Sequence, residues 1–371
     1  MFKHPLYQTV FAAAVLALVS AVPTEDLEAR ASCTVDSVSA ASSISKLLGS
    51  HYQCVHRTQW KHLDTLRKIP HPSCPKSGAT VTMAGDITFA KTTSSGPLFT
   101  IDGDSITFKG AGYKFNGNGA SYWDGEGTNG GVDKPHPFLK FKGSGTYSSF
   151  TVLNSPAQAI SIGNSDGLTF DSITVDNSAG DTSSLGHNTD GFDVSADDVT
   201  IQNSVVKNQD DCIAINSGSN IVFKNNQCSG GHGISVGSIS TGKTVTDVTI
   251  SGNTVTDSMY GLRIKVKAEA TSAKVSGITY SGNTISGITK YGVLISQSYP
   301  DDAGTPGTGG PISGVSFTGS ATTVKVGDKA KRLTIDCGNC SGTWDFSKLT
   351  VTGGSAGTVD SDDATVSGGS Y

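Results

Sequence analysis

Residues 188–237 read NTDGFDVSADDVTIQNSVVKNQDDCIAINSGSNIVFKNNQCSGGHGISVG, and short segments of one form recur in them: DGFDV from Asp190, DCIAI from Asp211 and HGISV from His232. These three residues follow one another at intervals of 21. Outward from this stretch the form continues as QAISI from Gln158, YGLRI from Tyr260 and YGVLI from Tyr291. Repeats of about 20 to 30 residues, each holding one strand, are the signature of a solenoid whose equivalent positions stack along one face. Residues remote in the chain then become neighbours. Two carboxylates and an imidazole fall on consecutive coils.

A second element traces the same coils: ITF at 106–108, LTF at 168–170, VTI at 199–201, IVF at 221–223, VTI at 248, ITY at 278 and VSF at 315. Apolar and polar residues alternate in these strands, so each has an inward and an outward face. Asn203, Asn225, Asn253 and Asn283 follow them, as expected where a tight turn uses the left-handed region or where side chains form a hydrogen-bonded ladder. Strands joined by short turns, without helical crossovers, predict an all-β chain: a right-handed parallel β-helix. An open solenoid end needs a cap, and Val35, Val38, Ala41 and Ile44 fall at helical spacing, which predicts a short N-terminal capping helix.

Composition fits this reading and narrows the partners. The chain has 371 residues, 46 of them glycine, with 16% charged residues and a net charge of −5. A nucleic-acid footprint and a polybasic membrane patch are both absent. Lys3 followed by the apolar run from Val10 to Val22, with Val19-Ser20-Ala21 as a small-residue cleavage site, predicts a secretory signal over 1–21. Residues 22–30, ending at Arg30, read as a propeptide, and 31–371 as one catalytic β-helix domain secreted to the extracellular space. Within it, residues 47–76 stand apart, with four of the eight histidines and no strand period. Those histidines are spaced by 5, 6 and 9 residues, which fits no compact metal-ligand set.

Seven cysteines in an exported chain imply disulfides with one thiol left over. Cys212 and Cys228 are expected on adjacent coils, where a bridge is sterically reasonable, and Cys337 with Cys340 can close a tight C-terminal loop. Cys33, Cys54 and Cys74 remain, and only two of them can pair with each other. Asn339-Cys340-Ser341 has the form of a glycosylation sequon with an unfavourable central cysteine.

The candidates for chemistry are Asp190, Asp210, Asp211, His232, Arg263 and Lys265. In GLRIKV, Leu262, Ile264 and Val266 alternate with Arg263 and Lys265, so an apolar inner face turns both cations outward. The same parity in DDCIAI puts Ile213 and Ile215 inward and Asp210 outward, while Asp190 and Asp211 stand at the bend before the strand. Crowded carboxyls cannot all ionise freely, so one is expected to keep a proton beside an ionised neighbour. That pairing of acid and base is what glycoside hydrolysis requires. The adjacent cations suit a substrate that carries its own carboxylate.

NTDGFDV (188–194), QDDCIAI (209–215), GGHGISVG (230–237) and RIK (263–265) resemble, in order and spacing, the four signature motifs of family 28 glycoside hydrolases, among them the fungal endopolygalacturonases. WDGEGTNGG from Trp123 and YGVLI from Tyr291 are also similar, and the resemblance spans roughly residues 78–350. It implies hydrolysis of α-1,4 bonds in polygalacturonate with inversion, no metal and no cofactor, a monomer, and plant inhibitor proteins among its partners. Carried over by position, it makes Asp210 the general acid and gives the water to Asp190 and Asp211. His232 would tune the acid, Arg263 and Lys265 would bind the substrate carboxylate, Tyr291 would line the cleft, and Asn188 would support the site. The two ends depart from the family pattern, in the displaced partner of Cys33 and the missing last cysteine pair.

Each motif taken alone is ordinary. A DD pair is usually a solvated turn, and GHG a tight bend; stacking at equal intervals is what raises their weight. A pectate lyase would share the β-helix but would need a calcium-binding acidic cluster and an arginine base. A non-catalytic carbohydrate-binding β-helix would have no use for three stacked acids beside Arg263.

Overall fold

The computed structural model describes residues 32–35 and 77–371. Their strands pair in parallel throughout, each with an equivalent strand one turn away along the chain, which makes a parallel β-helix as the repeat predicts. One coil shows the plan. Strand Phe192–Gln202 runs along two faces, and Val205–Lys207 makes the third. The corner between them is a single left-handed residue, Asn203, at φ 54°. In the following coils the long strand divides: Ile213–Lys224 pairs with Ile234–Ile239 at one end and with Thr244–Ser251 at the other.

Alternation fills the core. Phe99, Leu139, Ile160, Phe192, Ile213, Ile234, Leu262, Val293 and Leu333 are successive partners in one register column. All of them lie in the hydrophobic core. Burial of each such side chain contributes about 1.5–3 kcal/mol relative to exposure, and stacking makes the contribution continuous along the axis. Both uses of asparagine occur. Asn203 and Asn225 take left-handed conformations, whereas Asn226, Asn253 and Asn283 form a buried ladder in which each side-chain amide donates to the next carbonyl oxygen, at 3.1 and 3.0 Å.

At the N-terminal end, Ser32–Val35 pairs in register with Thr80–Met83. Ser32 meets Thr80, 48 residues on, whereas Thr80 meets Thr107, only 27 residues on. The 47–76 stretch lies outside the described residues. Val35 closes a strand; the rest of the expected capping helix, and residues 54 and 74, lie outside the described residues.

Among the described residues two disulfides are present, Cys212–Cys228 and Cys337–Cys340. The first spans 16 residues, less than the 21-residue turn, so it closes within a turn; adjacent coils, the sequence expectation, are not what it joins. It runs from the corner under Asp211 to the strand Gln227–Ser229. Among the described residues no helix is long and apolar enough to cross a membrane.

Candidate active site

The register places Asp190, Asp211 and His232 two residues before Phe192, Ile213 and Ile234, which are themselves aligned. Tyr260 and Tyr291 extend the same column. Strict alternation would split Asp210 from Asp211, but Cys212 and Ile213 are consecutive and both lie in the core. The chain turns a corner there, and both acids reach the outer face.

Asp210 is held on each oxygen. Its Oδ1 accepts from the Asp211 backbone N–H at 2.8 Å and faces His232 Nδ1 at 3.0 Å, and its Oδ2 accepts from Asn188 Nδ2 at 3.0 Å. Asn188 is oriented from the opposite side: its Oδ1 accepts from Thr128 N at 3.0 Å and from Thr128 Oγ1 and Asn129 Nδ2 at 3.3 Å. The turn around Gly127 thus reaches the acid through one amide. Gly127 sits at φ 58°, and a Cβ there would collide with the Asn188 carboxamide. The buried Lys134 side chain pins the base of this loop to Asp124 at 2.7 Å.

Asp211 takes the cations. Arg263 Nη2 donates to its Oδ1 at 2.8 Å and Lys265 Nζ to its Oδ2 at 2.6 Å, while Ser235 Oγ donates to Oδ1 at 2.7 Å. Arg263 and Lys265 are only 5% and 6% exposed. Parity turns them outward as expected, yet their first partner is a carboxylate of the chain itself. Lys265 can cross to Asp211 because Gly237, on the preceding coil, has no side chain; a Cβ there would meet the Lys265 backbone and stem. The Lys265 ammonium also lies 5.2 Å from the centre of the Tyr299 ring.

Asp190 and Asp193 have no such partner among the described residues. Burial, then the charges of Asp210, Asp193 and Asp211, push Asp190 well above the usual carboxylate range. Burial, then Asp211 and Asp210, push Asp193 up to about 7; Asn216 offers it only a long contact of 3.5 Å. For Asp210, burial acts upward but is outweighed by the His232 hydrogen bond and charge, by Lys265 and by the Asp211 N–H, so this carboxyl is held below its usual range. The free site therefore keeps its carboxyl proton on the Asp190–Asp193 side.

Ligand atoms of Asp210, Asp211 and His232 lie within 4.8 Å of one another, the spacing of a possible metal site. The donor set argues against a cation: Asp211 already faces an ammonium and a guanidinium, and His232 Nδ1 is turned to Asp210.

The structure brings together Asp190, Asp210, Asp211, His232, Asn188, Arg263 and Lys265. Tyr291 stands further along, half-buried and stacked on Tyr260 at 6.1 Å. Sequence reasoning missed Asp193, Ser235, Tyr260, Tyr299 and Asp302. Asp193 and Ser235 could have been found by parity within DGFDV and HGISV, since each lies between two inward residues, Phe192 and Val194 or Ile234 and Val236. Asp302 lies in an irregular connection with no period to reveal it.

The chain matches the family model for glycosyl hydrolases family 28 over residues 61–367. It is 48% identical to an endo-polygalacturonase of Sclerotinia sclerotiorum, over 75% of this chain and 74% of that one. It is 42% identical to endopolygalacturonase B of Emericella nidulans, over 95% and 96% of the two chains. Among solved structures it is similar to endopolygalacturonase I from Stereum purpureum complexed with two galacturonates, with TM-score 0.80 and 71% identity over 80% of this chain and 90% of that one. A parallel β-helix with carboxyls stacked on consecutive coils, together with these likenesses over most of its length, places the chain in family 28 of the glycosyl hydrolases.

Proposed function

We propose that this glycoside hydrolase is an endopolygalacturonase that cleaves internal α-1,4 bonds of polygalacturonate with inversion, after export directed by residues 1–21. The observation that carries the reading is the contrast between stacked carboxyls: burial raises Asp190 above the usual carboxylate range, whereas Asp210 is held below it beside His232 and Asp211 is faced by Arg263 and Lys265. Inversion needs an acid for the leaving oxygen and a base for water on the opposite face. Asp210 is the acid: its carboxyl protonates the glycosidic oxygen of the leaving group while water attacks from the opposite face. Asp190 and Asp211 hold the water. Arg263 and Lys265 keep N–H groups beyond those spent on Asp211 and offer them to the substrate carboxylate by charge-assisted hydrogen bonds.

The high proton affinity of Asp190 favours a second reading, in which Asp190 protonates the leaving group and Asp210 serves the water. A galacturonide with an activated aryl leaving group separates the two, because a good leaving group does not need the acid. Under the first reading Asp210→Asn retains much of its rate on that substrate and Asp190→Asn does not; the reverse outcome exchanges the roles. The function itself is tested by reducing-end release from polygalacturonate, with product length and anomeric configuration followed over time. Single-sugar products from the first minutes, retained configuration, or unsaturated products lost on chelation would each overturn this reading. N-terminal sequencing of the exported protein tests the signal.

A further inference from the structure

Tyr260 offers the site no reacting atom, yet it touches the guanidinium on which Asp211 depends. Arg263 is fixed along its edge by Ser235 Oγ, 3.2 Å from Nε, and by Asp211 Oδ1, 2.8 Å from Nη2. Its open face lies against the Tyr260 ring, with Cζ 4.1 Å from the ring centre. A planar, delocalised cation gains most from such a contact when both groups are withdrawn from water, and Tyr260 and Arg263 are both buried.

The ring is itself tied down. The Tyr260 hydroxyl donates to Asp302 Oδ1 at 2.8 Å and lies 3.1 Å from Oδ2. Lys290 Nζ pairs with Asp302 Oδ2 at 2.5 Å and donates to the phenol oxygen at 3.3 Å. Burial, then the bond to Asp302, raises the phenol above its usual range, so it stays a donor. Asp302 belongs to the connection 300–311, which is anchored to the last coils. Gly304 N donates to Asp336 Oδ2 at 3.0 Å, Gly307 N to Gln297 O at 2.9 Å, and Gln297 Nε2 to Gly310 O at 2.9 Å.

We infer that Tyr260 is a positioning residue: tethered by Asp302 and Lys290, its ring sets the Arg263 guanidinium against Asp211 and couples the 300–311 loop to the catalytic carboxyls. The inference rests on the proposed function for its kinetic readout. A mere packing role for Tyr260, which also meets the rings of His232 and Tyr291, would not require its hydroxyl or Asp302.

A cycle of Tyr260→Phe, Asp302→Asn and the double variant, with Tyr260→Leu beside it, tests this on polygalacturonate. Each single variant of the tether should lower kcat about threefold, and the double variant should be no worse than either, because the two changes break one connection. Tyr260→Leu should cost about 10- to 30-fold in kcat, with a smaller change in KM. NMR of the Arg263 Nε–H should show slow exchange in the wild type and faster exchange in Tyr260→Leu. Additive losses in the cycle, or a Leu variant with the wild-type kcat and exchange rate, would overturn the inference. Should the Leu variant not fold, the cycle decides alone. If the wild type leaves polygalacturonate intact, the functional reading fails, and the exchange rate still settles whether the clamp exists.

Discussion

Asp190 and Asp193 on one coil and Asp210 and Asp211 on the next are four carboxyls a few ångströms apart, in one fold and on one face, yet their surroundings treat them in opposite ways. The first coil buries its acids without a cation and leaves them proton-hungry. The second presents imidazole, guanidinium and ammonium to its acids. Burial alone disfavours charge, and burial with a partner favours it. Carboxyls of opposite proton affinity are thus separated by one 21-residue step, and His232, Arg263 and Lys265 create the difference.

The contrast breaks most severely at Asp210. Asp210→Asn can keep the Oδ1 contacts to His232 and the Asp211 N–H through its amide oxygen, but it has no proton to give; kcat should fall by about 10²- to 10⁴-fold on polygalacturonate, with an unchanged circular dichroism spectrum. Removing one cation from the second coil should convert its chemistry toward that of the first. Lys265→Met leaves Asp211 buried with one charged partner fewer, which should cost about 2 kcal/mol in denaturant unfolding at neutral pH.

The first coil is sharpened by Asp193→Asn. A carboxyl raised in the folded state stabilises fully only below its unfolded value, and that stability is lost as pH rises through the folded value, here between the usual carboxylate range and about 7. The variant should therefore gain stability over the wild type near neutral pH and lose the advantage near pH 4, as read by chemical denaturation at the two values. Asp210 has the opposite sign: its contribution is present above the usual carboxylate range and fades as pH falls below it. The smallest effect is expected at Thr128→Ala, which removes one long contact to Asn188 while keeping the backbone donor. Activity should drop less than about threefold, and a larger loss would mean that the Gly127 turn orients the acid through the hydroxyl.

The coils were legible because period-2 alternation survives from Phe99 to Leu333, and any strand with one buried face must keep it. The candidate site positions were legible because three of them obey the 21-residue interval. What escaped had physical reasons. The corner at Cys212 suspends alternation and carries Asp211 outward beside Asp210, which parity could not show. The depth at which Arg263 and Lys265 lie was hidden as well, since alternation distinguishes inside from outside but not an exposed cation from one sealed against a carboxylate. Tyr260 looked like one more rung, and Asp302 like part of an irregular loop.

Local chemistry along the chain was enough to specify strands, turns and the stacking of Asp190, Asp211 and His232, because those depend on spacing and on which residues tolerate water. The ionic state of each acid was decided only when the coils closed on one another, since a pKa depends on burial and on charges brought near from 50 residues away, as Arg263 and Lys265 are brought to Asp211.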